Sequence, residues 1–223
     1  MDASPQRVEA GQAVYTPRVL SSYDLLVLKI SNRLIWRCPS PRLQELYDRL
    51  VSERHLEVGI GTGYFLDRAR APALTTGRVQ LSLLDLNANA LEFGARRLAR
   101  YRPATYRRNA LEPFALPDPG YDSIGVNYLL HCLPGRLDDK CVVFDHAKAV
   151  MRPGATVFGS TLLQGGVRRS WSARALMALY NAKGIFSNRD DDLETLRAAL
   201  TRRFRDVELS VTGCAAVFVA RAT

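Results

Sequence analysis

The run HLEVGIGTGYF, residues 55–65, carries the strongest chemical signal in the chain. A short apolar strand pattern ends in Gly59, Gly61 and Gly63 and opens into a helix pattern. Glycines at such a turn let the backbone reverse sharply and let a ligand approach it closely. Amide donors at a helix start can meet a negative group. In open α/β sheets, ligands bind at loops of this kind, at the carboxyl ends of strands. The glycine spacing is GxGxG. A dinucleotide fingerprint would place its third glycine at position 64, where Tyr64 stands, and no GK[ST] follows. Glu57 lies two positions before the first glycine. A second run, LSLLDLNANAL, brings Asp85 to the end of a strand pattern 22 residues after Gly63. A carboxylate there can accept hydrogen bonds from both hydroxyls of a ribose. Taken alone, Asp85 or Asn87 reads equally well as the cap of the next helix. Together, the glycine loop and the acid point to a ribose-bearing ligand. His131 is the candidate general base, because imidazole titrates near neutral pH. The run around it reads more readily as an ordinary turn after a strand, and His55 and His146 read as structural.

The elements that must position these residues alternate. Strand patterns over 54–58, 79–84, 104–107, 121–126 and 155–163 are separated by helix patterns over 64–70, 88–100 and 137–151. Such alternation argues for βαβ units and a mainly parallel sheet, hence an α/β fold. The stretch 111–120 holds three prolines and reads as loop, and Arg152-Pro153-Gly154 reads as a turn. Residues 168–183 and 191–204 return to helix, the second with acids in its first turn and arginines in its last. Two β-rich runs, 206–212 and 215–220, join around Gly213 as a closing antiparallel hairpin. Ahead of all this, residues 1–14 are small and polar, and residues 19–50 are helical with a break at Pro39-Ser40-Pro41. The expected organisation is a tail and helical cap over 1–50 followed by a ligand-binding domain over 51–223, with a helical insertion at 164–203.

On these motifs the chain resembles the class I S-adenosylmethionine-dependent methyltransferases. The resemblance is carried by LEVGIGTG (56–63), LLDLN (83–87), RRNALEPF (107–114), YDSIGVNYLLHCLPG (121–135) and MRPGATVFGSTLL (151–163), in the family's order. It implies a Rossmann-like, seven-stranded, mainly parallel sheet with an antiparallel C-terminal strand and helices on both faces. It also implies S-adenosylmethionine as cofactor, S-adenosylhomocysteine as product, and no metal. Position by position, Glu57 and the backbone of Gly59, Gly61 and Gly63 would face the methionine part. Asp85 would bind the ribose, and Leu86 would pack on the adenine. Asn109 would stand beside the adenine amino group, where the family often has Asp, with Ala110 and Leu111 flanking the ring. Asn127 would lie near the sulfonium. Tyr15, Tyr23, Trp36, Trp171 and Tyr180, with Arg168 and Phe186, are candidate substrate or lid residues in the variable pieces added to the core.

Composition narrows the function classes. Over 223 residues, 47% are hydrophobic and 24% charged, enough for a sizeable core and against disorder. Four cysteines form no CxxC pair, which argues against structural zinc and fits a reduced, cytoplasmic protein. No apolar stretch reaches 18 residues, so no membrane span is expected. The net charge of +9 allows an acidic partner, but only four of the 31 basic residues are lysines, and the arginines are scattered. The favoured reading is methyl transfer to O, N or C of a small-molecule metabolite, in specialised metabolism, with the acceptor held under a helical lid. A nucleic-acid or protein methyltransferase is the second reading. The fourth strand ends in VNYL rather than the [DN]PP[FY] pattern that resembles amino-group methylation of bases and glutamine. A cyclase-like protein that binds the cofactor without methylating is the third. A homodimer is compatible with all three.

Overall fold

The computed structural model describes residues 31–223. Tyr15, Tyr23 and most of the expected cap lie outside the described residues. The chain enters through a short helical turn, residues 31–35, and then α1 (Ser40–Leu50), begun by Pro39 and Pro41. The seven strands are β1 (Arg54–Val58), β2 (Gln80–Asp85), β3 (Ala104–Arg107), β4 (Tyr121–Asn127), β5 (Met151–Leu162), β6 (Arg205–Thr212) and β7 (Ala215–Arg221). Between them lie α2 (Tyr64–Arg68), α3 (Pro72–Thr75), α4 (Ala88–Arg97), α5 (Leu137–Lys140), α6 (Val142–Val150), α7 (Trp171–Ala182) and α8 (Leu193–Thr201).

These strands form one sheet in the order β3-β2-β1-β4-β5-β7-β6. β1 to β5 are parallel, and β7 runs antiparallel between β5 and β6. The central strands are apolar on both faces because helices cover both. One face packs Leu43 and Tyr47 of α1, Leu66, Leu91 of α4 and Met177 of α7 with Phe158 of β5. The other packs Leu56 and Val58 of β1 with Val143 and Phe144 of α6, Leu200 of α8 and Phe218 of β7. The chain runs outward from β1 to β3 and returns to β4 on the other side of β1. This reversal of strand order opens a crevice at the carboxyl ends of β1 and β4.

Three elements differ from the sequence reading. The helix expected over 137–151 is two helices broken at Cys141. The turn expected at 152–154 lies inside β5. There Met151 pairs with Tyr121 and Thr156 with Ser123, so the intervening residues bulge, with Gly154 at φ +77°. An additional helical turn, α3, starts at Pro72. The stretch 111–120 is irregular as expected, and its Phe114 and Leu116 are buried in the second core.

Candidate functional site

The glycine loop leaves β1 with Gly59, Gly61 and Gly63 all at positive φ, a backbone region that residues with a Cβ rarely adopt. At Gly59 (φ +78°) a Cβ would also stand 2.9 Å from the Leu129 side chain. Two cavities line up along this loop. The first, ≈ 70 Å³, is bounded by Tyr47, Glu57, Gly63, Tyr64, Asn127 and Tyr128. The second, ≈ 100 Å³, is bounded by Asp85, Leu86, Arg108, Asn109, Ala110 and Leu129. Gly59, Gly61 and Tyr128 belong to both, so the two form one cleft across the ends of β1, β2 and β4.

Most of the residues singled out in the sequence meet here. Glu57 is 4% exposed and opens into the first cavity. The Asp85 carboxylate accepts the amide protons of Asn87 at 2.9 Å and Gly61 at 3.5 Å. Burial nevertheless raises its pKa to about 6. Asn87 also caps α4, accepting from the Ala90 amide at 3.0 Å. The Asn109 carbonyl accepts from the Leu111 amide, and its amide donates to Glu112. One carbonyl lone pair of Asn109 remains for a ligand. Asn127 accepts from the Ser160 hydroxyl. Leu111 lines neither part of the cleft and packs against the second core instead.

The expected base and the expected substrate residues are placed differently. His131 is 3% exposed, with its Nδ1 accepting from the Leu162 amide at 3.3 Å and its ring 4.6 Å from that of Phe186. Burial, aided by the Lys140 charge, pushes its pKa down to about 3. In this arrangement it is a poor proton acceptor near neutral pH, and it lines no part of the cleft. Trp36 is buried with its ring 6.2 Å from Phe186, and Tyr180 packs on the same ring at 5.0 Å. Both stand one layer behind Phe186, which faces a further cavity of ≈ 470 Å³. That cavity shares Cys132 and Pro134 with the cleft. Trp171, at the first position of α7, is 84% exposed and lines none of these cavities.

Two residues of the cleft were not singled out in the sequence. Tyr128 follows β4 at φ +54°, a strained conformation for a tyrosine, and forms a wall common to both cavities. Its position directly after Asn127 was the available signal. Tyr47 comes from α1 and reaches the cleft only through the tertiary packing of that helix.

The site suits S-adenosylmethionine on its own geometry. A buried carboxylate faces one end, where an ammonium group would need an acceptor. A second carboxylate at the end of β2 can take two hydroxyl protons. The glycine backbone between them leaves no room for a side chain on the Leu129 side.

Comparison with known proteins agrees. A family model described as a methyltransferase domain matches residues 56–157. Demethylluteothin O-methyltransferase of Streptomyces thioluteus is 41% identical over 218 residues, covering 98% of this chain and 94% of that one. The physcion biosynthesis cluster O-methyltransferase of Aspergillus chevalieri is 36% identical over 95% of both chains. Among solved structures, N-methyltransferase NodS from Bradyrhizobium japonicum WM9, in complex with S-adenosyl-l-homocysteine, shares the fold. Its TM-score is 0.61 at 15% identity, over 92% of this chain and 97% of that one. The glycine loop, the acid ending β2, the strand order and this degree of likeness converge: the chain belongs to the class I S-adenosylmethionine-dependent methyltransferases of the small-molecule type.

Proposed function

We propose that this enzyme methylates an oxygen of a small metabolite whose hydroxyl is itself acidic, a phenol or an enol. The observation that carries the reading is the position of the histidines. The chain has only three, and none lines the cleft. His55 is buried behind Glu57, His131 is held neutral, and His146 bonds to the Leu111 carbonyl. An acceptor that ionises readily needs no strong base from the protein. The O-methyltransferases at 41% and 36% identity support transfer to oxygen.

In this reading Glu57 and the backbone at Gly59, Gly61 and Gly63 receive the amino-acid end of the cofactor. Asp85 holds the ribose, Leu86, Asn109 and Ala110 surround the adenine, and Leu111 supports them from behind. Asn127 and Tyr128 stand between the two ends. When bound, S-adenosylmethionine supplies a methyl group on a sulfonium, already activated for displacement. The protein's task is orientation and exclusion of water, which can lower a barrier by roughly 7–11 kcal/mol. The acceptor takes the room beyond the Cys132–Pro134 turn, walled by Phe186, with Trp36 and Tyr180 supporting that ring. His131 acts as a neutral hydrogen-bond acceptor in this wall rather than as a base. Of the expected cap over 1–50, α1 packs Leu43 and Tyr47 into the core, so the role toward the acceptor falls to the residues ahead of it, Tyr15 and Tyr23 among them. The test is incubation with methyl-labelled S-adenosylmethionine and matched phenol, enol, aliphatic alcohol and amine acceptors. Label on phenolic or enolic oxygen is expected; label on amine nitrogen alone would overturn the reading.

A further inference from the structure

Both oxygens of Glu57 are occupied from behind. The Tyr47 hydroxyl donates to Oε1 at 2.6 Å, and His55 Nε2 lies 3.1 Å from Oε2. On its other side, His55 Nδ1 is 2.8 Å from the Ser123 hydroxyl, which accepts the Ser52 amide proton at 2.9 Å. One direction satisfies every group in this chain. Ser123 has a single hydrogen and gives it to Nδ1, so Nε2 carries the hydrogen that meets the carboxylate, which can only accept. Packing fixes both donors. The Tyr47 ring is stacked on Phe65 at 5.4 Å and meets Phe158 edge-on at 5.2 Å. The His55 ring lies against the same Phe158 at 5.9 Å. Across the β1–β4 pairing, Glu57 faces Gly125, where any Cβ would collide with the carboxylate. The side chain therefore has one orientation available.

We propose that Tyr47 and His55 are positioning residues for the amino-acid end of the cofactor: they hold the Glu57 side chain in a single orientation, its remaining lone pairs turned to an ammonium group in the first cavity. This rests on the assignment of Glu57 to that end of the cofactor. The Ser52–Ser123–His55 chain sets the tautomer that makes His55 a donor. Glu57 then meets the ligand without first being ordered, which is where preorganisation gains affinity.

Calorimetric titration with two ligands tests this. S-adenosylhomocysteine carries the amino and carboxylate groups; 5′-methylthioadenosine has the same adenosine thioether without them. Tyr47→Phe and His55→Leu are expected to weaken S-adenosylhomocysteine about tenfold, the scale of one hydrogen bond to a charged group. The Kd for 5′-methylthioadenosine should stay unchanged in both variants. His55→Gln, whose amide can still donate, should recover most of the loss. Equal weakening of both ligands would mean that the two residues only support the fold, and the proposal would fail. Unchanged S-adenosylhomocysteine binding in Tyr47→Phe and His55→Leu, alongside a clear loss in Glu57→Gln, would also overturn it while leaving Glu57 in place. Unchanged binding in Glu57→Gln would remove the assignment beneath it. Far-ultraviolet circular dichroism separates folded variants from unfolded ones, and Tyr47→Phe, which removes one oxygen, is the variant least exposed to that failure.

Discussion

The carboxyl group of Asp85 accepts hydrogen bonds from the Asn87 and Gly61 amides, yet burial outweighs them and raises its pKa to about 6. Its ordinary value is 3.8. The native state therefore binds this proton more tightly than the unfolded chain does, and the group's contribution to stability falls as pH rises from about 4 to about 6. At pH 7 the charged carboxylate opposes folding. Asp85→Asn should accordingly raise the melting temperature, by about 2–4 °C for each kcal/mol gained, while abolishing S-adenosylhomocysteine binding. Calorimetry and thermal denaturation on the same sample check both halves. In its proposed role the Asp85 carboxylate receives the ribose, so in the unmodified protein affinity should drop about tenfold per pH unit below about pH 6; a pH-independent Kd between 4.5 and 7 would contradict this role. Gly125→Ala is the complementary change. Its methyl group would push the Glu57 carboxylate off its donors, weakening the cofactor and costing about 1–3 kcal/mol of stability, measurable by denaturant titration. Asp85 and Glu57 were legible in the sequence because each stands at a fixed offset from a strand end or a glycine. Gly125 was not singled out, because its need comes from a carboxylate 68 residues earlier, across the sheet.

Among the elements, α5 is held by a buried ion pair. Lys140 Nζ lies 2.7 Å from both oxygens of Asp191 and donates to the Ser187 carbonyl at 2.6 Å, with neither charged side chain more than 1% exposed. The Asp191 carbonyl in turn accepts from the Gln164 and Gly165 amides. Three segments are thus tied at one point, at Asp191 on the wall of the ≈ 470 Å³ cavity. Burial pushes Lys140 down and Asp191 up to about 6, so desolvation works against the pair. Lys140→Met leaves Asp191 buried without its partner and should cost about 3–5 kcal/mol, whereas the double change Lys140→Met with Asp191→Leu should recover most of that. Urea unfolding of the single and double variants decides it; equal loss in both would show that the pair itself is not what holds the loop. The same contact shows where the sequence stops being readable. Periodicity over 137–151 describes a single helix and says nothing of a lysine turned inward to a partner 51 residues away. The Arg152-Pro153-Gly154 signal did mark a departure from regular backbone, but the structure places it as a bulge within β5 rather than a turn before it. Apolar alternation and glycine spacing depend on near neighbours. Breaks of these two kinds depend on distant ones.

For the whole molecule, the charge of +9 is dispersed. Arg96 pairs with Glu92, Arg97 and Arg100 with Asp67, Arg54 with Asp118, and Arg203 with Asp145. Arg107 donates to the Leu86 carbonyl and Arg169 to Gln164. No helix among the described residues is long and apolar enough to cross a membrane. On the proposal that residues ahead of α1 serve the acceptor, deletion of residues 1–30 should leave S-adenosylhomocysteine affinity nearly unchanged while raising the acceptor KM about tenfold or more; equal loss of both would place that segment in the cofactor site instead. The strand order also has a consequence for biosynthesis. Gly59 and Asp85 stand at the ends of the first two strands made, but the far wall of the cleft, Tyr128 to Pro134, follows β4, and β4 is clamped between β1 and β5. A nascent chain emerging from the ribosome therefore has the glycine loop long before it has a cleft. Its hold on the cofactor is therefore complete only after the residues that follow β4 have been made.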